Sequence, residues 1–236
     1  MSLNLPWLDD RCSRFPETAT ALEHPNGLLA AGGTLDKDTL TRAYRRGIFP
    51  WYEAGQPVLW WSPDPRMVLF PAELHISKSM RSFLGKHEYS ITINRDFEAV
   101  VSNCAGSRPG SQGTWITPQV KAAYCSMHMT GLAHSVEVWA GNDLVGGLYG
   151  IAMDRIFFGE SMFSHRDNTS KLALIHLVAE LVSVGVGLID CQVPNPHLES
   201  LGARLIPREK FENYLPKQDK SPLNGTRQLF LPPGWL

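Results

Sequence analysis

Polar and apolar positions repeat with two periods along this chain, and the change of period marks out its second half. After Thr117, the residues Val120, Ala123, Tyr124 and Met127 fall three or four apart, so one apolar stripe runs down a helix. Thr117 is placed as its cap, Pro118 at its first position, and Gly131 as its stop. Period two then takes over. Ser135–Trp139 reads as a strand, Gly141-Asn142-Asp143 as a turn into Leu144–Ala152, and Met153-Asp154 as a turn into Arg155–Met162. Asn168 or Ser170 caps a helix that is apolar on most sides to about Val184. Gly185 and Gly187 lead from it into a short strand, Leu188–Gln192.

The order helix, three strands, helix, strand makes the buried helix cross the sheet to deliver the last strand. That is the core of an acetyltransferase-like (GNAT-type) domain, whose ligands sit where the middle strands part. The first half is less regular. Residues 36–47 look helical, with Asp36 or Asp38 as cap and Gly47 as stop. Prolines at 50, 57, 63 and 65 keep much of the segment from 48 to 66 out of regular structure. The expectation is an α+β protein: a small N-terminal α/β domain over 1–95, then an acetyltransferase-like domain over 96–236 with a mixed sheet and flanking helices.

Composition narrows the class. The 236 residues are 43% hydrophobic and 19% charged, which suits a folded core and excludes a disordered tail protein. The net charge of −1 gives no global basic field. Arg42 to Lys86 is a local exception, with seven basic residues against three acids. The same segment carries Tyr44, Phe49, Trp51, Tyr52, Trp60 and Trp61. Interleaved bases and aromatics serve either as a small-domain core or as a grip on unstacked nucleotides. Cys12, Cys104, Cys125 and Cys191 are scattered, and residues 1–15 lack an export pattern, so the reading is reduced thiols in a cytoplasm. The longest apolar stretch, Leu172 to Ile189, contains His176 and Glu180 and is broken by glycines, which suits a buried helix and strand rather than a membrane span.

Common cofactor sites are missing. There is no phosphate loop, no G-x-G-x-x-G, no H-E-x-x-H and no second ligand pair to join Cys125 and His128. Gly146-Gly147-Leu148-Tyr149-Gly150 lies in a strand pattern and marks close packing or a bulge. The loop Ser164–Ser170 has no glycine to wrap the pyrophosphate of coenzyme A, which speaks against an ordinary N-acetyltransferase. Three polar groups stand out in apolar strands: Glu160, Asp190 and Gln192. Alternation puts Asp190 and Gln192 on one face and Cys191 on the other. The pair either orients an amine and a carbonyl or, equally, Asp190 pairs with an arginine while Gln192 satisfies a backbone group. Cys191, with no adjacent histidine, reads as a small buried residue, and His197 as a loop histidine.

The motifs together resemble one family. They are Pro25-Asn26-Gly27-Leu28-Leu29-Ala30, Arg46-Gly47-Ile48-Phe49-Pro50-Trp51-Tyr52, Trp60-Trp61-Ser62-Pro63-Asp64-Pro65-Arg66, Gly113-Thr114-Trp115-Ile116-Thr117, His134-Ser135-Val136-Glu137-Val138-Trp139, Phe158-Gly159-Glu160-Ser161-Met162-Phe163-Ser164, Asp190-Cys191-Gln192 and Leu201-Gly202-Ala203. They cover roughly residues 25 to 215 in order, and look like a bacterial leucyl/phenylalanyl-tRNA–protein transferase.

That resemblance implies an aminoacyltransferase. It would move Leu or Phe (also Met) from aminoacyl-tRNA to the N-terminal Arg or Lys of acceptor proteins, marking them for N-end-rule degradation, with no cofactor and no metal. It also implies site residues. Asp190 would draw a proton from the attacking amine or orient it, and Gln192 would position the ester carbonyl. Trp51, Trp115 and Tyr124 would grip the terminal adenosine and ester. Leu148, Phe157, Met162 and Leu177 would form the side-chain socket, with Leu177 standing where the family can carry a larger aromatic. Glu160 would face the acceptor's basic side chain or shape the pocket edge, and Asn195 joins the substrate-binding set. Arg66, Lys78, Arg81 and Lys86 would meet the tRNA backbone. The expected partners are charged tRNA and acceptor proteins, with no membrane and a monomeric enzyme. The rival readings are an acetyl-CoA enzyme, another tRNA-dependent aminoacyl transferase and a non-catalytic tRNA-binding module.

Overall fold

The computed structural model describes residues 5–9, 14–86, 88–106 and 114–235. Cys12 and the motif residue Gly113 lie outside them. In chain order the elements are β1 (Trp7–Leu8), β2 (Leu28–Gly32), α1 (Lys37–Tyr44), β3 (Phe49–Pro50), β4 (Leu59–Trp61), β5 (Arg66–Leu69), α2 (Lys78–Leu84), β6 (Ser90–Ile93) and α3 (Phe97–Cys104). Then come α4 (Pro118–Met129), β7 (Ala133–Ala140), β8 (Asp143–Met153), β9 (Ile156–Ser164), α5 (Thr169–Ser183), β10 (Leu188–Gln192), α6 (Pro196–Glu199), β11 (Arg204–Ile206), α7 (Arg208–Glu212) and β12 (Arg227–Gln228).

The helix caps follow the sequence signals. The Asp36 carboxylate accepts the Thr39 N–H at 2.8 Å, and Gly47, just past the helix, has φ +68°, where a side chain is strained. The Thr117 hydroxyl accepts the Val120 N–H ahead of Pro118. Asn168 holds the cap position of α5 with φ +64° but makes no side-chain cap bond.

Two sheets result. The small one has the order β1-β2-β4-β3, and the large one β11-β5-β10-β9-β8-β7-β6-β12. The meander β7-β8-β9 is antiparallel, and β10, delivered by α5, joins β9 in parallel. The sheets divide the chain between Trp61 and Arg66, whereas the sequence pattern drew its line at 95. β5 and β6 are four residues each, too short for alternation to register, yet both hydrogen-bond inside the large sheet.

Each face of the large sheet carries a core. On one, Tyr44, Trp60, Tyr124, Tyr149 and Phe158 join the small sheet, α1, α3 and α4. On the other, Met80, Leu148, Phe157, Leu172 and Leu177 pack α2 and α5. The glycines of β8 permit close packing: a Cβ on Gly150 would lie 2.2 Å from the Phe158 carbonyl oxygen, and on Gly146 2.4 Å from the Thr169 side chain. Opposite Tyr149 and Gly150 the register shifts by one residue on β9.

Candidate active site

β9 and β10 stay paired for only three residues, Ile156–Phe158 against Leu188–Asp190, and then part. A bulge marks each strand at that point. Tyr149 pairs with Ser161 and Gly150 with Gly159, so Glu160 is the extra residue on β9. On β10, Asp190 pairs with Val68 and Gln192 with Met67, so Cys191 is the extra residue there. Bulges re-aim side chains, and these two open a cavity of about 280 Å³ between the strands.

The cavity has two unlike halves. Leu148, Phe157, Met162, Leu174, Leu177 and Ile189 line an apolar half drawn from the core beneath α5. Glu160 and Gln192 line the other half, toward the small sheet, with Trp51 and Trp115 beside them. Trp51 is 44% exposed, its ring 5.7 Å from that of Trp61, whose indole N–H donates to the Trp51 carbonyl at 2.6 Å. The volume is at the lower end of small-molecule sites, which run from roughly 300 to 1,000 Å³.

Asp190 and Gln192 both line the cavity, joined across the bulge by the Gln192 N–H, while Cys191 packs against the core beneath α5. Burial and the nearby Asp190 push the Cys191 thiol well above the ordinary thiol range, so it is no nucleophile. Asp190 is fully buried. Arg66 grips it twice, Nε to Oδ1 at 2.8 Å and Nη2 to Oδ2 at 2.7 Å, and the Gln192 N–H donates to Oδ1 at 2.9 Å. The Arg66 guanidinium is sandwiched between the rings of Phe49 and Phe211, 4.7 and 4.6 Å from their centroids. Asp190 thereby holds the Gln192 backbone in its left-handed conformation, φ +66°.

Two expectations are corrected here. Arg66 is completely buried and committed to Asp190, so it cannot touch a tRNA backbone; a charge count does not distinguish a core arginine from a surface one. Tyr124 is completely buried on the apolar stripe of α4 and does not line the cavity, so it cannot grip an adenosine. Its hydroxyl instead supports Glu160.

Glu160 is the centre of a buried polar cluster. Tyr44 Oη lies 2.7 Å from its Oε1, Tyr124 Oη 2.7 Å from its Oε2, and the two hydroxyls 2.5 Å from each other. Gln192 Nε2 donates to Oε1 at 2.9 Å. Burial, aided by the negative Asp190, raises the Glu160 carboxyl to about 7, against the lowering effect of its hydrogen-bond donors. The hydroxyls of Tyr44 and Tyr124 are pushed well above their ordinary range, first by burial and then by Glu160. Tyr44 belonged to an aromatic-rich segment in the sequence, but nothing there linked it to Glu160, 116 residues away.

Asn195 also lines the cavity, and its side-chain oxygen caps α6 by accepting the His197 N–H. Lys78 and Arg81 are exposed on α2, and Lys86 comes just after it; Arg81 also donates to the Trp235 carbonyl. Lys86 shares a shallow hollow with Tyr89 and Arg166. Among the described residues, no three His, Cys, Asp or Glu side chains converge as a metal site, and no helix is long and apolar enough to cross a membrane.

The family described as leucyl/phenylalanyl-tRNA protein transferase matches residues 68–216, and the description of its N-terminal domain matches 33–64. A leucyl/phenylalanyl-tRNA–protein transferase of Azotobacter vinelandii is 57% identical over 85% of this chain and 89% of its own. Another of that name from Pseudomonas paraeruginosa is 55% identical over 94% of this chain and 98% of its own. Among solved structures, a GCN5-related N-acetyltransferase from Kribbella flavida aligns with TM-score 0.34 and 11% identity, over 68% of this chain and 57% of that one.

Proposed function

This chain belongs to the leucyl/phenylalanyl-tRNA protein transferase family, and on that premise we propose that it moves leucine or phenylalanine from a charged tRNA onto the N-terminal Arg or Lys of an acceptor protein. The observation that carries this reading is the two-sided cavity where β9 and β10 part. An apolar side chain and a reacting polar ester need those two environments side by side. Leu148, Phe157 and Leu177 receive the side chain, and Met162 is soft enough to fit both leucine and phenylalanine. Trp51 and Trp115 offer rings to the terminal adenosine at the mouth.

The ester is already activated, and roughly a tenth of an α-amino group is neutral at pH 7, so the main task is alignment, worth about 7–11 kcal/mol. Gln192, fixed by Asp190 below and Glu160 beside it, positions the carbonyl. Asp190 is a positioning residue rather than a base, because Arg66 and the Gln192 N–H occupy its carboxylate. Lys78, Arg81 and Lys86 supply backbone contacts to the tRNA. Methionine is a third donor. We take the enzyme to act as a monomer and place the reaction in the cytoplasm, where charged tRNA is found.

The test uses purified protein, tRNA charged with labelled leucine, and peptides beginning with Arg or Ala. Label on the Arg peptide alone is expected. No transfer from leucyl-, phenylalanyl- or methionyl-tRNA, or acetyl transfer from acetyl-CoA in its place, rejects the reading.

A further inference from the structure

The contacts around Glu160 do not balance in hydrogens if it is a carboxylate. Three oxygen–oxygen contacts close a ring: Tyr44 to Glu160 at 2.7 Å, Tyr124 to Glu160 at 2.7 Å, and Tyr44 to Tyr124 at 2.5 Å. Each needs one hydrogen, and the two hydroxyls supply two. A 2.5 Å approach of two oxygens without a hydrogen between them is repulsive. In this geometry the third hydrogen belongs on the carboxyl, so the ring is the form that follows proton uptake; with the carboxyl brought to about 7, the ionised form that opens the cycle is populated beside it at neutral pH. The ring is then complete, each member donating once around it, and such closed chains reinforce one another.

We propose that Glu160 receives the proton of the attacking amine, and that Tyr44 and Tyr124 hold the protonated carboxyl in a closed ring until the ribose oxygen leaves. This rests on the transfer reaction proposed above. In balanced form, the neutral amine of the acceptor attacks the ester carbonyl carbon, and a C–N bond forms. The nitrogen, now positive, gives one proton to a Glu160 oxygen. The C–O bond to ribose breaks, the departing oxygen takes the proton back from Glu160, and the amide and a free ribose hydroxyl result. Glu160 ends as it began.

The surroundings suit this task. Tyr44 faces Glu160 from α1, Tyr124 from α4 and Gln192 from β10, with Tyr149 of β8 and Asp190 of β10 close enough to act on its charge, while Arg66 of β5 offsets Asp190. Among the described residues no cation touches Glu160 itself to trap it as a carboxylate; the nitrogen that does is the neutral Gln192 amide. A carboxyl brought to about 7 takes and returns a proton near neutral pH with little bias, which is the condition for efficient acid–base exchange. Glu160 is the catalytic residue of this scheme. The two tyrosines, buried behind it, are positioning residues.

The test compares wild type, Glu160→Gln and Tyr124→Phe in single-turnover leucyl transfer from about pH 5.5 to about pH 9, with infrared titration of the free enzymes. Glu160→Gln keeps the shape and the Gln192 neighbour. Its transfer rate is expected to fall about 10²–10⁴-fold while tRNA affinity stays within about threefold. The wild-type minus Glu160→Gln infrared difference should show a protonated carboxyl at low pH that disappears around neutrality. In Tyr124→Phe, which removes a donor to the carboxylate, that disappearance and the rise in transfer rate should move together to higher pH. The proposal is overturned if Glu160→Gln transfers at nearly the wild-type rate, or if the carboxyl band is already absent at about pH 5.5. The infrared arm reads wild type even if a variant folds poorly. A wild type that transfers nothing defeats the underlying reaction; a wild type that transfers alongside an equally active Glu160→Gln defeats only the role of Glu160.

Discussion

Asp190→Ala separates support from chemistry at this site. The substitution removes one half of an ion pair whose side chains are 1% and 0% exposed. It leaves the Arg66 guanidinium buried without a counter-charge, between two aromatic rings that cannot replace two hydrogen bonds. Breaking such a pair from one side costs about 3–5 kcal/mol. At about 2–4 °C per kcal/mol for a chain of this size, the melting temperature should drop by roughly 6–20 °C. Arg66→Met with Asp190→Leu removes both charges and should regain most of that loss, because apolar replacement of a buried pair is close to neutral. Transfer should stay low in both variants, since neither can hold the Gln192 N–H. Thermal melts read by circular dichroism, alongside the transfer assay, provide the comparison. An Asp190→Ala protein that melts with wild type yet transfers nothing refutes the reasoning, because Asp190 would then be acting in the chemistry itself.

Other groups give further outcomes. His134 is buried among Asn94, the Gly131 carbonyl and Ser221, and burial lowers its pKa from 6.5 to about 4. Between those values the unfolded chain takes a proton that the folded chain refuses, so urea titrations should show up to ~3 kcal/mol of stability lost as pH falls through this window, and His134→Gln should flatten the loss. Gly150→Ala pushes a methyl into the Phe158 carbonyl and the Phe157 ring and should cost at least about 1–3 kcal/mol in chemical denaturation. Replacing Lys78, Arg81 or Lys86 by Ala should weaken tRNA binding and reduce its salt slope by roughly 0.7–0.9 per lost phosphate contact, read by filter binding across salt concentrations.

What the sequence displayed and what it hid differ for physical reasons. Helices α1, α4 and α5 and strands β7 to β9 declared themselves through period, caps and turns, whereas α3, with eight residues as in α1, did not. Strands β5 and β6 were concealed because four residues carry too little alternation, and the prolines before Arg66 read as loop. The socket residues Leu148, Phe157, Met162 and Leu177 were legible only through the family resemblance; their own pattern says strand and helix core. Arg66 counted as surface charge until the fold placed it beside Asp190, 124 residues away. Tyr124 was correctly seen on the apolar stripe of its helix, and that position excludes the nucleotide-gripping role. The bulges at Glu160 and Cys191 depend on neighbouring strands: the glycine run of β8 pointed toward the first as a bulge or close packing, and nothing local pointed to the second.

The central claim is that the cavity between β9 and β10 seats the aminoacyl end of the donor. A stable, amide-linked leucyl-adenosine tests it directly, as a competitor of leucyl-tRNA for wild type and for Leu177→Trp, which fills the apolar half. Competition with wild type that is lost in Leu177→Trp, while the variant still folds and still binds uncharged tRNA, is the predicted result. Equal competition with both proteins would place the aminoacyl group elsewhere and contradict the account.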